Sequence, residues 1–261
     1  MDSVCVGDIT SFTNSSTAYG SETMTYAWDF GDLSGTSTQE NPTYTFGTSG
    51  NYSAQLIVTS EYGCTDTVVN TAYVFPYPVA AFNAPDGCEG QNITFSRDTT
   101  GLNLLGWRWK FGDGSFHLGD TSVAYRYATA DTFEVTLIDT NILGCVDSAT
   151  QTLVVHHKPV SAVSFPSDIV CASNSTTFTR TSTSVDPILT WWWRFTSRTP
   201  REGSSTRNQT YTGVGLKTVV LIDTTIYGCS DTVTDTFYVV ALPVADFSWD
   251  TVCAQHPTTF T

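Results

Sequence analysis

YAWDFGD, Tyr26 to Asp32, sets three aromatic rings and two carboxylates within seven residues. It returns as WRWKFGD at Trp107–Asp113 and, altered, as WWWRFTS at Trp191–Ser197. A recurring cluster of this kind is either a ligand site in three copies or the core of a small domain in three copies. Period-two geometry decides between them. On a strand, Tyr26, Trp28 and Phe30 share one face and Ala27 and Asp29 take the other. The same rule groups Trp107, Trp109 and Phe111 against Arg108 and Lys110, and Trp191, Trp193 and Phe195 against Trp192 and Arg194. One face is aromatic in every copy and the other mostly polar, which is core against solvent.

The repeat extends well beyond the motif. Cysteines stand at 5, 64, 88, 145, 171, 229 and 253, and alternate members from Cys5 are 83, 83 and 82 residues apart. The others sit in Gly-Cys pairs followed by Asp, as GCTDT, GCVDS and GCSDT. The Trp at the centre of each motif precedes that Cys by 36 residues in all three copies. A spacing held while the sequence drifts marks a shared fold. Segments such as YSAQLIV (Tyr52–Val58) and FEVTLID (Phe133–Asp139) alternate apolar and polar residues, and turn residues punctuate them. Short strands in units of about eighty residues predict an all-β fold of tandem immunoglobulin-like sandwiches. The expected units are 1–78, 79–159 and 160–243, with 244–261 opening a fourth. The first lacks the PVAAF-like strand that opens the others, so the chain reads as a window cut from a longer array. Proline marks each short junction (FPYPVAAF, HHKPV, ALPVADF), which favours an elongated, semi-rigid rod.

The formal charge of −14 and pI near 4.3 argue against nucleic-acid binding, since phosphate backbones repel such a surface. No apolar run reaches the length of a membrane span, and no signal peptide opens the chain. Catalytic signatures are missing: there is no G-x-S-x-G, H-E-x-x-H or phosphate loop. Of four histidines, His156 and His157 fall in a linker, where solvent exposure is the expectation, and His117 and His256 have no repeated partner. An enzyme is not expected.

WDFGD, NPTYTF (Asn41–Phe46) and SGNYSAQLIV (Ser49–Val58) together resemble the PKD domain, an immunoglobulin-like sandwich. The second unit matches in WRWKFGDG, VAYRYA and TFEVTLID. The third departs most: Phe195-Thr196-Ser197 has lost Gly-Asp, and Lys217 stands in place of a ring. Cysteine-bearing tandem PKD units look like the large surface adhesins of gliding Gram-negative bacteria. That resemblance implies type IX secretion, a cell-surface location, and a structural or adhesive role in a rod or filament. PKD domains also serve as non-catalytic spacers or carbohydrate-binding modules of secreted hydrolases, which is the alternative. The implied partners are neighbouring repeats, further copies, surface polysaccharide or other surface proteins.

Site expectations follow. Trp28, Phe30, Trp109, Phe111, Trp193 and Phe195 are core residues. Trp192 replaces a small or charged residue on the outward face and is the candidate contact residue, because aromatic anchors are enriched at interfaces. Asp32 and Asp113 follow a strand directly and hold a turn. No D-x-D-x-D-G run exists, so no metal site or cofactor is expected beyond weak incidental Ca²⁺ binding. Paired cysteines in an acidic β-rich chain imply disulfides and an oxidising compartment. Two pairings fit. Intradomain bridges (Cys5–Cys64, Cys88–Cys145, Cys171–Cys229) make each repeat self-contained and are the simpler expectation. Bridges between neighbours would join Cys5 to Cys145 and Cys88 to Cys229. The early Cys and the Gly-Cys belong at opposite ends of the sandwich, while bridged Cα atoms lie within about 7 Å. Cys253 has its partner outside the chain under either scheme. Finally, D-[ST]-[VAT] at Thr67, Ser148 and Thr232 looks like the O-glycosylation signal that gliding bacteria use on exported proteins.

Overall fold

The structure, a computed structural model, describes residues 3–18, 20, 23–100, 104–196, 201–249, 253–255 and 257. Among these there is no helix. The first repeat contributes β1 (Ser3–Cys5), β2 (Ile9–Ser11), β3 (Met24–Asp29), β4 (Thr36–Ser37), β5 (Thr43–Thr45), β6 (Gly50–Ser60) and β7 (Thr65–Phe75). The second contributes β8 (Phe82–Asn83), β9 (Gly87–Cys88), β10 (Asn92–Arg97), β11 (Leu104–Lys110), β12 (Phe116–Leu118), β13 (Ser122–Arg126), β14 (Asp131–Asn141) and β15 (Val146–His156). The third contributes β16 (Val163–Ser164), β17 (Ile169–Cys171), β18 (Ser175–Arg180), β19 (Ile188–Phe195), β20 (Arg201–Glu202), β21 (Thr206–Thr210), β22 (Gly215–Thr225) and β23 (Ser230–Val240).

Packing divides the chain into two compact units. One is Met1–Asp86 with Gln91–Arg126 and Asp131–Val155; the other is Gly87–Gly90 with Tyr127–Ala130 and His156–Thr261. In the first unit, one sheet runs β1-β7-β6-β3-β4 and another has β12-β11-β14-β15 in order. Facing strands form a two-stranded β2-β5 pair and a three-stranded β13-β10-β8 sheet. In the second unit the corresponding sheets are β17-β23-β22-β19-β20 and β16-β18-β21.

The long hairpins β6-β7, β14-β15 and β22-β23 pair antiparallel; burial alternates along most of β14, as the period-two sequence requires, whereas Thr65–Thr71 of β7 is exposed on both faces. Departing from that rule, β1 lies parallel to β7 with Cys5 opposite Phe75, and β17 parallel to β23 with Cys171 opposite Val240. The motif strands β3, β11 and β19 place their rings inward: Trp28, Trp109 and Trp193 are 8%, 0% and 1% exposed. Each indole N–H donates to a backbone carbonyl eleven residues on, at Gln39 (3.0 Å), Asp120 (3.2 Å) and Ser204 (3.1 Å). The polar edge of the ring is thereby satisfied inside the core, which an unbonded buried N–H would not be. Phe30, Phe46, Phe95, Phe111, Tyr127, Phe178 and Phe237 are further fully buried rings.

Candidate functional site

The WDFGD turns are built for shape. Gly31 and Gly112 adopt φ of +81° and +83°, and a Cβ on either would lie 2.6–2.7 Å from the backbone oxygen of Ser53 or Glu134. Only glycine fits where the turn passes so close to the adjacent strand. Asp32 accepts hydrogen bonds from the Tyr44 hydroxyl and from the N–H groups of Ser34 (3.1 Å) and Gly35 (2.7 Å). Asp113 accepts from Ser115 Oγ and Tyr125 Oη, each at 2.6 Å. The Tyr44 bond, then the Gly35 N–H, hold the Asp32 carboxyl at about 2, below its usual 3.8. Burial alone would raise Asp113, but the bonds from Ser115 and Tyr125 outweigh it and its pKa also falls. Both acids act on their own turn. In the third repeat Phe195 and Thr196 are described, and Ser197 lies outside the described residues.

A polar plug that the sequence reading missed sits beneath the motif strand. Arg97 Nε lies 2.8 Å from Asp139 Oδ1, Thr99 Oγ1 also bonds Asp139, and the Arg97 guanidinium stacks 4.6 Å above the Trp107 ring. The third repeat repeats this with Arg180, Asp223, Ser182 and Trp191. Asp139 and Asp223 are 0% exposed. The signal was present: Asp139 shares strand parity with the inward Val135 and Leu137. At the equivalent places the first repeat has Asn14, Val58 and Tyr26.

The disulfides correct the simpler expectation. Cys5 bonds Cys145 and Cys88 bonds Cys229, with Cα–Cα distances of 5.8 and 5.5 Å; the intradomain pairs do not form. The reason is the parallel strand. Cys5 ends beside Phe75, the last residue of β7, whereas Cys64 precedes its first residue, so the two stand an eleven-residue strand apart. At ~3.3 Å per residue that is roughly 35 Å, far beyond a bridge. Cys64, Cys171 and Cys253, all expected in bridges, are free thiols in this chain.

Each bridge is reinforced by its junction. Around Cys5–Cys145, Asn141 Nδ2 donates to Pro76 O (3.2 Å), and Tyr77 Oη donates to Asp8 (2.8 Å), which raises the Tyr77 pKa. Around Cys88–Cys229, Glu89 accepts from the backbone N–H groups of Lys158 (3.0 Å) and Ala130 (3.1 Å). His156, expected to face solvent, instead stacks on Tyr227 at 3.7 Å with its side chain 15% exposed. Its carbonyl accepts from Glu89 N–H at 3.0 Å and lies 4.0 Å from Cys229 Sγ.

A family model for the PKD domain matches residues 1–75 and again 76–157. The chain belongs to the PKD domain family. Within it, a 70-residue stretch is 40% identical to a microbial collagenase of Vibrio alginolyticus; the match spans 26% of this chain and 8% of that protein. The PKD1 domain of the Vibrio cholerae metalloprotease PrtV is 27% identical over 30% of this chain and 96% of its own, with a TM-score of 0.28. The titin fragment I67–I69 covers 92% of this chain and 95% of its own at 12% identity and a TM-score of 0.46.

On the surface of the third repeat, Trp192 is 39% exposed and faces outward from β19. Its counterpart in the second unit, Arg108, lies 4.5 Å above the Phe116 ring. Thr67, Ser148 and Thr232 occupy equivalent exposed places on β7, β15 and β23. Among the described residues, no three His, Cys, Asp or Glu side chains cluster as a metal site would require, and no helix is long and apolar enough to cross a membrane.

Proposed function

We propose that the chain is a structural segment of a secreted bacterial surface protein, a disulfide-braced array of PKD units acting in an adhesive rod or filament. The observation that carries this reading is the pair of bridges, each joining a cysteine of one repeat to a cysteine of the next. A module that merely spaces two active domains has no need of covalent bracing across its joints; one under tension does. The bridges also call for an oxidising compartment, which supports an extracellular location. We place it on a Gram-negative cell surface, exported by a type IX route, with O-glycans at Thr67, Ser148 and Thr232, no catalytic activity and no cofactor. Its partners in this reading are other copies, surface polysaccharide or other surface proteins, with Trp192 as the contact residue.

Imaging of the native protein on its cells tests the role directly. Ordered rods or fibres that loosen when a reductant is added are the expected result, and a compact particle carrying a catalytic domain overturns it. A mass above the polypeptide value checks the glycans, and Trp192→Ala should reduce adhesion without altering folding. The resemblance to a Vibrio collagenase favours one alternative, a substrate-binding or spacer array on a secreted hydrolase. Retention of this chain on insoluble glycan or collagen would select it.

A further inference from the structure

An acidic chain with 11 Lys and Arg residues gathers two of them on one sheet face of its second repeat. Arg108 and Lys110 flank the buried Trp109 on β11 with the opposite parity, and both are exposed. They stand about 7 Å apart along the strand. On β12, Phe116 lies across from Lys110 and Leu118 across from Arg108, and the two are 57% and 61% exposed. Among the described residues, the ion pairs use Arg97, His117, His156, His157 and Arg180. Neither Arg108 nor Lys110 is paired with a carboxylate there.

These side chains border an open pocket of about 360 Å³. Gly112 and Gly114 form part of its wall with no side chain to fill it, and Glu134 is the one acid among the described residues that line it. The Arg108 guanidinium lies 4.5 Å above the Phe116 ring. Stacking occupies the flat face of the guanidinium and leaves its in-plane N–H fork to take a carboxylate in two parallel bonds. Lys110 adds a second point charge, and the exposed side of Phe116 adds an apolar platform beside both.

We infer that this pocket binds a carboxylate-bearing sugar unit of an acidic polysaccharide. Arg108 and Lys110 hold the carboxylate, Phe116 covers the C–H face of the sugar ring, and Glu134 accepts a bond from a ring hydroxyl. Such a unit is apolar on one face and charged at one edge, which is the arrangement the pocket presents. An acidic peptide brings the charge without the rigid apolar face. The net charge of −14 opposes every polyanion at long range, so affinity comes from contacts inside the pocket and not from steering.

The neighbouring repeats do not carry this group. In the first, Ala27 and Asp29 take the places of Arg108 and Lys110, and Thr36 stands opposite Asp29 where Phe116 would be. In the third, Trp192 and Arg194 take those places, and Glu202 stands opposite Trp192. Acidic-sugar binding is therefore a property of the second repeat and is separate from the Trp192 contact. The inference stands on the chemistry of the pocket and not on the filament role, so the two fail separately.

The test is affinity electrophoresis of the full chain through gels containing polygalacturonate, its fully methyl-esterified form, or polyglutamate. Esterification keeps the sugar and removes the charge, while polyglutamate keeps the charge and removes the sugar. Retardation by polygalacturonate alone is expected. Arg108→Ala with Lys110→Asp writes the first repeat's residues into the second. That variant should keep the parent's thermal transition while its dissociation constant rises at least about tenfold. Arg108→Gln, a milder change, should weaken binding in the same direction, Phe116→Ala should weaken it several-fold, and Trp192→Ala should leave it unchanged. No retardation by polygalacturonate, equal retardation by the methyl ester or by polyglutamate, or full binding by the Arg108→Ala, Lys110→Asp variant overturns the inference.

Discussion

The second and third repeats turn the corner after their aromatic strand by different means. In the second, Gly112 passes against the Glu134 backbone and Asp113 ties the loop to Ser115 and Tyr125. In the third, Thr196 stands where Gly112 would be. It donates its N–H to Thr218 O (3.0 Å) and accepts from Thr218 N–H on its hydroxyl (2.7 Å). The rings ahead of the turn are equally buried in both, and the plug below is the same. The turn is therefore a replaceable solution, while the Trp, the Phe and the Arg–Asp pair are the shared part of the fold.

The comparison can be broken at its strongest point first. Trp109→Ala and Trp193→Ala should each cost about 3–5 kcal/mol, because a fully buried ring and its bond to a carbonyl are lost together. Urea unfolding should give similar losses for both, and unequal losses would mean the cores are not equivalent. Asp139→Ala should be close behind, at about 3–5 kcal/mol, since it leaves the Arg97 charge buried without its partner. Val58, the first-repeat counterpart, should tolerate Ala at about 0.5–1.5 kcal/mol by the same assay.

The turns should then respond in opposite senses. Gly112→Ala should destabilise by about 1–3 kcal/mol through its left-handed backbone and the close Glu134 oxygen. Thr196→Gly should lose only the bonds to Thr218, about 0.5–1.5 kcal/mol. Acid sharpens the same contrast. The folded pKa of Asp32 is about 2 against 3.8 unperturbed, so its contribution is full above roughly pH 4 and fades as pH falls toward 2. Asp113 shifts in the same direction. Asp32→Asn with Asp113→Asn should remove that part of the acid sensitivity in a pH-titrated thermal scan. The smallest effect belongs to Trp192→Ala, expected within about 0.5 kcal/mol of the parent because the residue is on the surface.

Much of the fold was legible because two signals are local. Constant Trp-to-Cys spacing marked the repeat, and parity marked the buried face of YAWDFGD; the weaker burial of Tyr26 at the start of the strand is not a matter of parity. The turn acids were legible from their place after a strand. Two features were not. The Arg97–Asp139 pair joins strands distant in sequence, and an Asp at the end of an apolar strand reads as a polar terminus unless its parity is followed inward. The disulfide partners were undetermined because both pairings fit the spacings. What separates them is the parallel run of β1 along β7, which places Cys5 at the far end of the sandwich from Cys64. Nothing in HHKPV announces the Tyr227 ring on which His156 stacks, because the two are brought together only by the fold.

The overlapping bridges change how tension travels through the chain. Pulled between Cys5 and Cys229, the covalent path crosses to Cys145, runs backwards through the segment to Cys88, and crosses again. Fully drawn out at about 3.5 Å per residue, that path reaches roughly 200 Å, against nearly 800 Å for the unbridged chain. Most of the contour length is withheld even if every sandwich unfolds. The bridges are extension stops, and the central repeat is the one segment that takes up slack, loaded in the reverse direction.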